Sequence, residues 1–434
     1  MRIACLFRKG RMCIRINPKK KTKESESEGT MQQNPFGTEQ IGIQALEKSL
    51  IRTKSKRQLQ IGVPKETAAD EHRIALTPSG VASLTANGHT VTVERDAGVR
   101  AQFSDDLYLE AGASIADSPE EVFRDHDVIV KVGPPARQEW EWMARDQTLL
   151  SALHLGNAER DLIVALMEKG VAAIGFEFIR GADGEFPIVR MMHEITGSVA
   201  VQIASHYLET DRDGQGLMLG GVAGVPGASV VILGAGVTGE FAARAAMAHG
   251  ARVTVIDNDL AALRRIENAL GRQIITATAN AHYLVRAVQR ADVVIGSAMV
   301  EGERASVWMT EEMVEMMRPG GVIVDTVIDQ GGCVETSRPT THSDPVYRVH
   351  DVIHYCVPNI PSKVAQTATI ALSNVLIPYV LKLGDSGSVR DCLWTHEALR
   401  RGTYVYHKHL TKKTLAEHFG MSYRDVELLI ASQI

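Results

Sequence analysis

The chain is poor in the residues that build covalent or metal frameworks. Its 434 residues include five cysteines, Cys5, Cys13, Cys333, Cys356 and Cys392, scattered, odd in number and without a CxxC pair. That pattern excludes a disulfide scaffold and a zinc ribbon, calls for no metal, and fits a reducing cytoplasm. The net charge is only −5, which gives no general attraction to nucleic acid. No uncharged apolar run reaches the ~18 residues that would span a bilayer, so no membrane is expected. The start, MRIACLFRKGRMCIRI, is basic but too interrupted for a secretory signal. What remains is ordinary: 44% hydrophobic and 23% charged residues, enough chain for two or three domains with buried cores.

The informative stretch is SVVILGAGVTGEFAARAAMAHGARVTVID over 229–257. An apolar β-branched run leads into Gly234-Ala235-Gly236-Val237-Thr238-Gly239, an Ala-rich helix follows, and a second apolar run ends on Asp257. Strand, glycine turn, helix and strand-tip acid in register form the dinucleotide-binding fingerprint. Gly234 allows the tight turn, Gly236 lets a pyrophosphate reach the backbone, and Gly239 lets the helix lie close to the strand. The helix N-terminus offers unpaired N–H groups and partial positive charge to phosphates. Asp257, 18 residues beyond Gly239, is placed to accept hydrogen bonds from a ribose 2′-hydroxyl. It would repel a 2′-phosphate, and Asn258 supplies no positive charge, so NAD is expected over NADP.

The rest of the chain is organised around this unit. Residues 1–58, with lysines followed by alternating glutamate and serine, read as a disordered tail. Strands are predicted at 60–63, 90–94, 128–132, 149–153 and 171–176, with helices at 78–87, 105–111, 119–124 and 159–168 between them, a pattern of parallel βα units. A long helix over 192–209 leads into the nucleotide unit. Six strands there, at 230–233, 252–256, 274–277, 292–295, 322–325 and 352–356, make a complete doubly wound sheet. A second long helix follows over 362–383, kinked at Pro378, and the remainder reads as small helices. The expected fold is α/β: two Rossmann-like domains with parallel sheets, joined by long helices. The NAD-binding domain (191–361) is inserted in a discontinuous substrate domain (59–190 and 362–434). A substrate cleft is expected between them.

Four other stretches can carry chemistry. Arg73, in GVPKE…EHR, follows a parallel strand and could hold a carboxylate bidentately, or could be a solvated surface side chain. His154, in LHLG, could be an acid/base in the neutral range, or a hydrogen-bonded core residue. Asp329, in DTVIDQGG, would face the nicotinamide end of the cleft, or cap a turn before Gly331. CVPNIP, 356–361, could floor the nicotinamide with Asn359, or simply end its strand.

Together these stretches resemble the alanine dehydrogenase and transhydrogenase α-subunit family. The likeness rests on GVPKE…EHRIALTP, ALHLGN, GFEFI, LGGVAGVP, ILGAGVTG, IDQGGC…SRPTT and HYCVPNIPSKVAQTAT, and spans about 60–383. The resemblance implies NAD-dependent conversion of L-alanine to pyruvate and ammonium by a cytoplasmic homo-oligomer, in this family commonly a hexamer. His154 would be the acid/base and Asp329 would position water. Arg73, Lys131, Glu177 and Asn359 would bind the 2-amino or 2-oxo acid. Gly234, Ala235, Gly236, Val237, Gly239, Asp257, Met299, Val357 and Ile360 would hold the cofactor. The chain departs from the family at Gly133, where a substrate-binding lysine is usual, at His193, often serine, and at Ala152, usually aromatic. Lys131 should point to the opposite face of its strand. These departures leave three alternatives to alanine oxidation: a larger 2-amino acid, a catalytically silent NAD(H)-binding protein, and a transhydrogenase component.

Overall fold

The computed structural model describes residues 55–153, 159–271, 274–299 and 305–432. The predicted tail falls almost wholly outside them. The described chain is tied down from its first residues, with Arg57 paired to Asp127 at 2.7 Å.

Two mainly parallel sheets carry the structure. The first contains β1 (Gln60–Val63), β2 (Thr90–Glu94), β3 (Ser114–Ala116), β4 (Val128–Val130), β5 (Thr148–Ser151) and β6 (Ala172–Gly175). Its parallel strands run in the order β3-β2-β1-β4-β5-β6. β1, β4, β5 and β6 are almost entirely buried, as expected where helices cover both faces of a parallel sheet. The second sheet contains β7 (Ser229–Leu233), β8 (Arg252–Ile256), β9 (Ile275–Ala277), β10 (Val293–Gly296), β11 (Val322–Asp325), β12 (Val346–Val349) and β13 (Val352–Tyr355). Its order is β9-β8-β7-β10-β11-β13-β12, the dinucleotide-binding order with antiparallel β12 added at the edge.

The C-terminal segment differs from expectation. Instead of helices alone it forms β14 (Thr403–Tyr406) and β15 (His409–Leu410), an antiparallel pair that extends the first sheet at β6. All four β14 residues are buried, so the hairpin covers an edge that would otherwise be open.

The first long helix, Pro187–Tyr207, begins earlier than its hydrophobic pattern suggests. A proline at its first position costs no hydrogen bond there. Its N-terminal Ile188 belongs to the core under the first sheet, and its Val199, Ala200, Val201, Ile203 and Ala204 belong to the core of the second. The second long helix, Ala365–Ser386, runs on through Pro378. Together with the preceding turn it is long and apolar enough to cross a membrane, with mean hydropathy 1.5, a length the run of apolar residues alone did not indicate. In the structure it is a packed helix. Ser373 accepts from the Thr77 backbone N–H at 3.1 Å, ahead of helix Pro78–Ala86, and Leu372, Leu376 and Val380 are buried in the first core.

Candidate active site

The glycine turn lies at the C-terminal edge of the second sheet, where ligands of such sheets bind. Gly234 has φ +107°, a region that L side chains rarely adopt. A Cβ on Gly239 would run into the Gly234 carbonyl, whereas one on Gly236 would meet nothing. The turn is therefore tight beneath and open above, the shape a pyrophosphate needs. Gly236 caps the helix Val237–Ala248, whose first N–H groups face the same space. Asp257 braces the turn: its Oδ2 accepts from Ala235 N at 2.5 Å and its Oδ1 from Asp259 N at 2.7 Å. The Ser297 hydroxyl adds hydrogen bonds to the Leu233 and Gly234 carbonyls at 3.0 and 3.2 Å.

A cavity of about 620 Å³ opens over this turn, within the size range of ligand sites. Of the residues assigned from sequence to the cofactor, Gly234, Gly236, Val237, Asp257, Met299, Val357 and Ile360 line it. Ala235 and Gly239 do not; they are buried beneath and shape the turn. The groups present fit a dinucleotide. Arg265, which sequence inspection passed over, also lines the cavity, and its Nη2 donates to the Ala235 carbonyl at 3.1 Å. It projects from helix Leu260–Leu270 one turn after Ala262, another lining residue. That i, i+3 spacing from a wall position was its available signal.

Arg73, Asp329 and Asn359 line the same cavity. Arg73 is no solvated surface side chain. It is buried and forms a bidentate pair with Glu71, Nε to Oε1 at 2.7 Å and Nη2 to Oε2 at 2.6 Å. Burial alone would raise the Glu71 carboxyl, but the Arg73 charge and hydrogen bonds outweigh it and hold it below the ordinary carboxylate range. Asn359, with left-handed φ +61°, donates from Nδ2 to Glu71 Oε2 at 3.0 Å, tying the loop after β13 to the loop after β1. The Arg73 Nη1 lies 3.1 Å from the Met192 sulfur and is the edge of the guanidinium not taken by Glu71.

Asp329 sits in a short 3₁₀ turn, Ile328–Gln330, with its carboxyl open to the cavity. Desolvation by the surrounding protein, then the charge of Asp325, raises its pKa. His193 also lines the cavity, and burial lowers its pKa, favouring the neutral ring. His154 lies outside the described residues.

One sequence assignment is corrected, and a second lies off the described cavity wall. Lys131 does not reach the cavity. It is fully buried, with Nζ 3.3 Å from Glu66 and 3.2 Å from Glu139. Strand alternation turns it away, and two carboxylates hold it there, so it cannot replace the side chain that Gly133 lacks. Glu177 is likewise absent from the described wall. Both its carboxylate oxygens accept from Leu153 N, at 2.9 and 3.1 Å, at the end of the β5 segment.

The chain was compared with known proteins. The profile of the alanine dehydrogenase/PNT N-terminal domain matches residues 62–196, and that of the alanine dehydrogenase/PNT C-terminal domain matches residues 200–413. An alanine dehydrogenase of Mycolicibacterium smegmatis is 39% identical over 371 residues, 86% of this chain and 100% of that one. One of Bacillus subtilis is 42% identical over 369 residues, covering 85% and 96%. A solved L-alanine dehydrogenase superposes with a TM-score of 0.80 at 40% identity, covering 83% of this chain and 99% of that one. A transhydrogenase from Sinorhizobium meliloti, 24% identical with a TM-score of 0.70, shares the fold.

Proposed function

The chain belongs to the alanine dehydrogenase/PNT family, and from that premise we infer that it is an NAD-dependent L-alanine dehydrogenase. It converts L-alanine, NAD and water reversibly to pyruvate, ammonium, NADH and a proton. The observation that carries this reading is the meeting of the glycine turn with Arg73, Asp329 and Asn359 around one cavity. NAD, when bound, accepts the hydride from the alanine Cα. The residues of the chain do the remainder. Arg73 holds the substrate carboxylate through the guanidinium edge that Glu71 leaves free. The substrate ammonium first gives up a proton to become the amine, and departure of the hydride from Cα then leaves an iminium. His154 takes a proton from the water that adds to the iminium carbon, giving a carbinolamine. It returns one to the departing nitrogen, so ammonia leaves and the pyruvate carbonyl forms. Asp329 orients the water and the polar intermediate, and Asn359 holds the Glu71–Arg73 pair in register.

The substrate half is assigned to 59–190 and 362–434 and the nucleotide half to 191–361. The protein is proposed to act in the cytoplasm as a homo-oligomer, a hexamer by family resemblance. A larger 2-amino acid is the second reading, favoured by Gly133 and by Lys131 being held elsewhere.

NADH formation by the purified chain across a panel of 2-amino acids tests both readings. L-Alanine is expected to give the highest kcat/KM, and His154→Ala should lower kcat about 10²- to 10⁴-fold. A larger amino acid leading the panel would favour the second reading. Tight NADH binding without turnover of any of them would overturn both.

A further inference from the structure

Beneath the carboxylate assigned to the reaction lies another that the reaction does not use. Asp325 ends β11 and has no exposed surface. Its side chain gathers the loop that follows. Oδ1 accepts from Val327 N at 3.2 Å, and Oδ2 accepts from Cys333 N at 3.0 Å and Val334 N at 3.3 Å. Val327 and Cys333 flank the turn that carries Asp329, so one carboxylate clasps the loop at both ends. Gly332, at φ +77°, passes so close that a Cβ there would stand 2.8 Å from Oδ2. The opposite face of the loop gives Thr326, Val327, Asp329 and Gln330 to the cavity wall.

The backbone groups on Asp325 are all donors, a set that suits an acceptor-only ionised carboxylate. An asparagine there would turn an NH₂ toward at least one N–H. A charge is retained at such depth only when fully hydrogen-bonded. We propose that Asp325 is a positioning residue: it fixes Asp329 at the cavity wall by clasping both ends of its loop. The proposal rests on the reading that Asp329 acts on the substrate.

Desolvation, then the charge of Asp325, makes Asp329 harder to ionise. Burial also pushes the Asp325 carboxyl up, opposed by the three backbone donors. The other titratable groups around Asp325 are the Cys333 thiol, its sulfur 3.9 Å from Oδ1, and Cys356. Burial raises both thiols, which favours their neutral forms. No ion-pair partner of Asp325 or Asp329 is found among the described residues.

The test is Asp325→Asn in the full chain, read by kcat with alanine and by KM for NAD. We expect kcat to fall about 10- to 100-fold with KM for NAD little changed, as misplacement of one reacting group does. Wild-type kcat, or a kcat lowered together with a several-fold rise in KM for NAD, would overturn the proposal. If that chain does not fold, Gly332→Ala decides. It keeps the carboxylate and pushes the loop off it, because the new Cβ would stand 2.8 Å from Oδ2: a kcat reduced by roughly two- to fivefold at unchanged KM for NAD supports the clasp, and wild-type kcat overturns it. Asp329→Asn separates the premise from the proposal. Full activity there removes the premise, and the clasp falls with it. An inactive Asp329→Asn beside a wild-type-like Asp325→Asn sinks the clasp alone.

Discussion

Glu71 shows how a residue that motif reading treats as a neighbour can decide whether a functional side chain works. Arg73 was legible as a carboxylate binder because it follows a parallel strand, but nothing in the spacing EHR says that Glu71 folds back onto it. With side chains only 5% and 6% exposed, the pair stands or falls together. Glu71→Gln would leave the guanidinium buried with only part of its compensation. Breaking such a pair costs about 3–5 kcal/mol, so the variant should unfold at markedly lower urea. The pH dependence follows from the direction of the shift. The Glu71 carboxyl is held below its ordinary 4.5 in the folded protein. Its contribution is therefore fully present above that value and is lost as pH falls through the lower folded value. The stability gap between wild type and Glu71→Gln should close toward acid pH; a gap independent of pH down to acid unfolding would contradict the ion-pair account. Other residues were illegible for the same reason. Strand alternation gave the direction of Lys131 but not the carboxylates that hold it, and Arg265 reaches the Ala235 carbonyl from a helix whose sequence carries no nucleotide motif.

At the scale of elements, several strands of the two parallel sheets announced themselves. β1, β2, β8 and β11 occupy the predicted residues, because an unbroken β-branched run between turn signals admits few other states. The hairpin Thr403–Leu410 did not. Thr403-Tyr404-Val405-Tyr406 has strand composition, yet it is short, and its pairing with β6 spans over two hundred residues of intervening chain. Local pattern carries no information about such a partner. β12 was missed likewise, as an edge strand whose burial is only partial. The hairpin makes a measurable difference. Val405 is fully buried in the core around Leu149, Leu166 and Leu410. Val405→Ala should cost roughly 2 kcal/mol, from lost burial plus the cavity left behind. A urea midpoint unchanged by that substitution would mean that this segment does not seal the sheet.

At the scale of the whole molecule, the two sheets share one strand order, and the helix Pro187–Tyr207 puts its two ends into two different cores. A helix anchored in both cannot lose one without exposing apolar surface at the other, so the halves should melt together. The cofactor cavity adds a second coupling: its wall takes Arg73 from the loop after β1 and Asp257 from the tip of β8. A ligand that binds only the folded state stabilises it by RT ln(1 + [L]/Kd), about 2.7 kcal/mol at a hundredfold excess over Kd. Calorimetry of the full chain should therefore show one main transition, which NADH moves upward as a unit. Asp257→Ala should abolish most of that shift, and should also lower the melt without ligand by a few degrees, because the Ala235 and Asp259 N–H groups lose their acceptor. Two transitions, only one of them responsive to NADH, would show that the shared helix does not couple the halves and that the cavity is built by the nucleotide half alone.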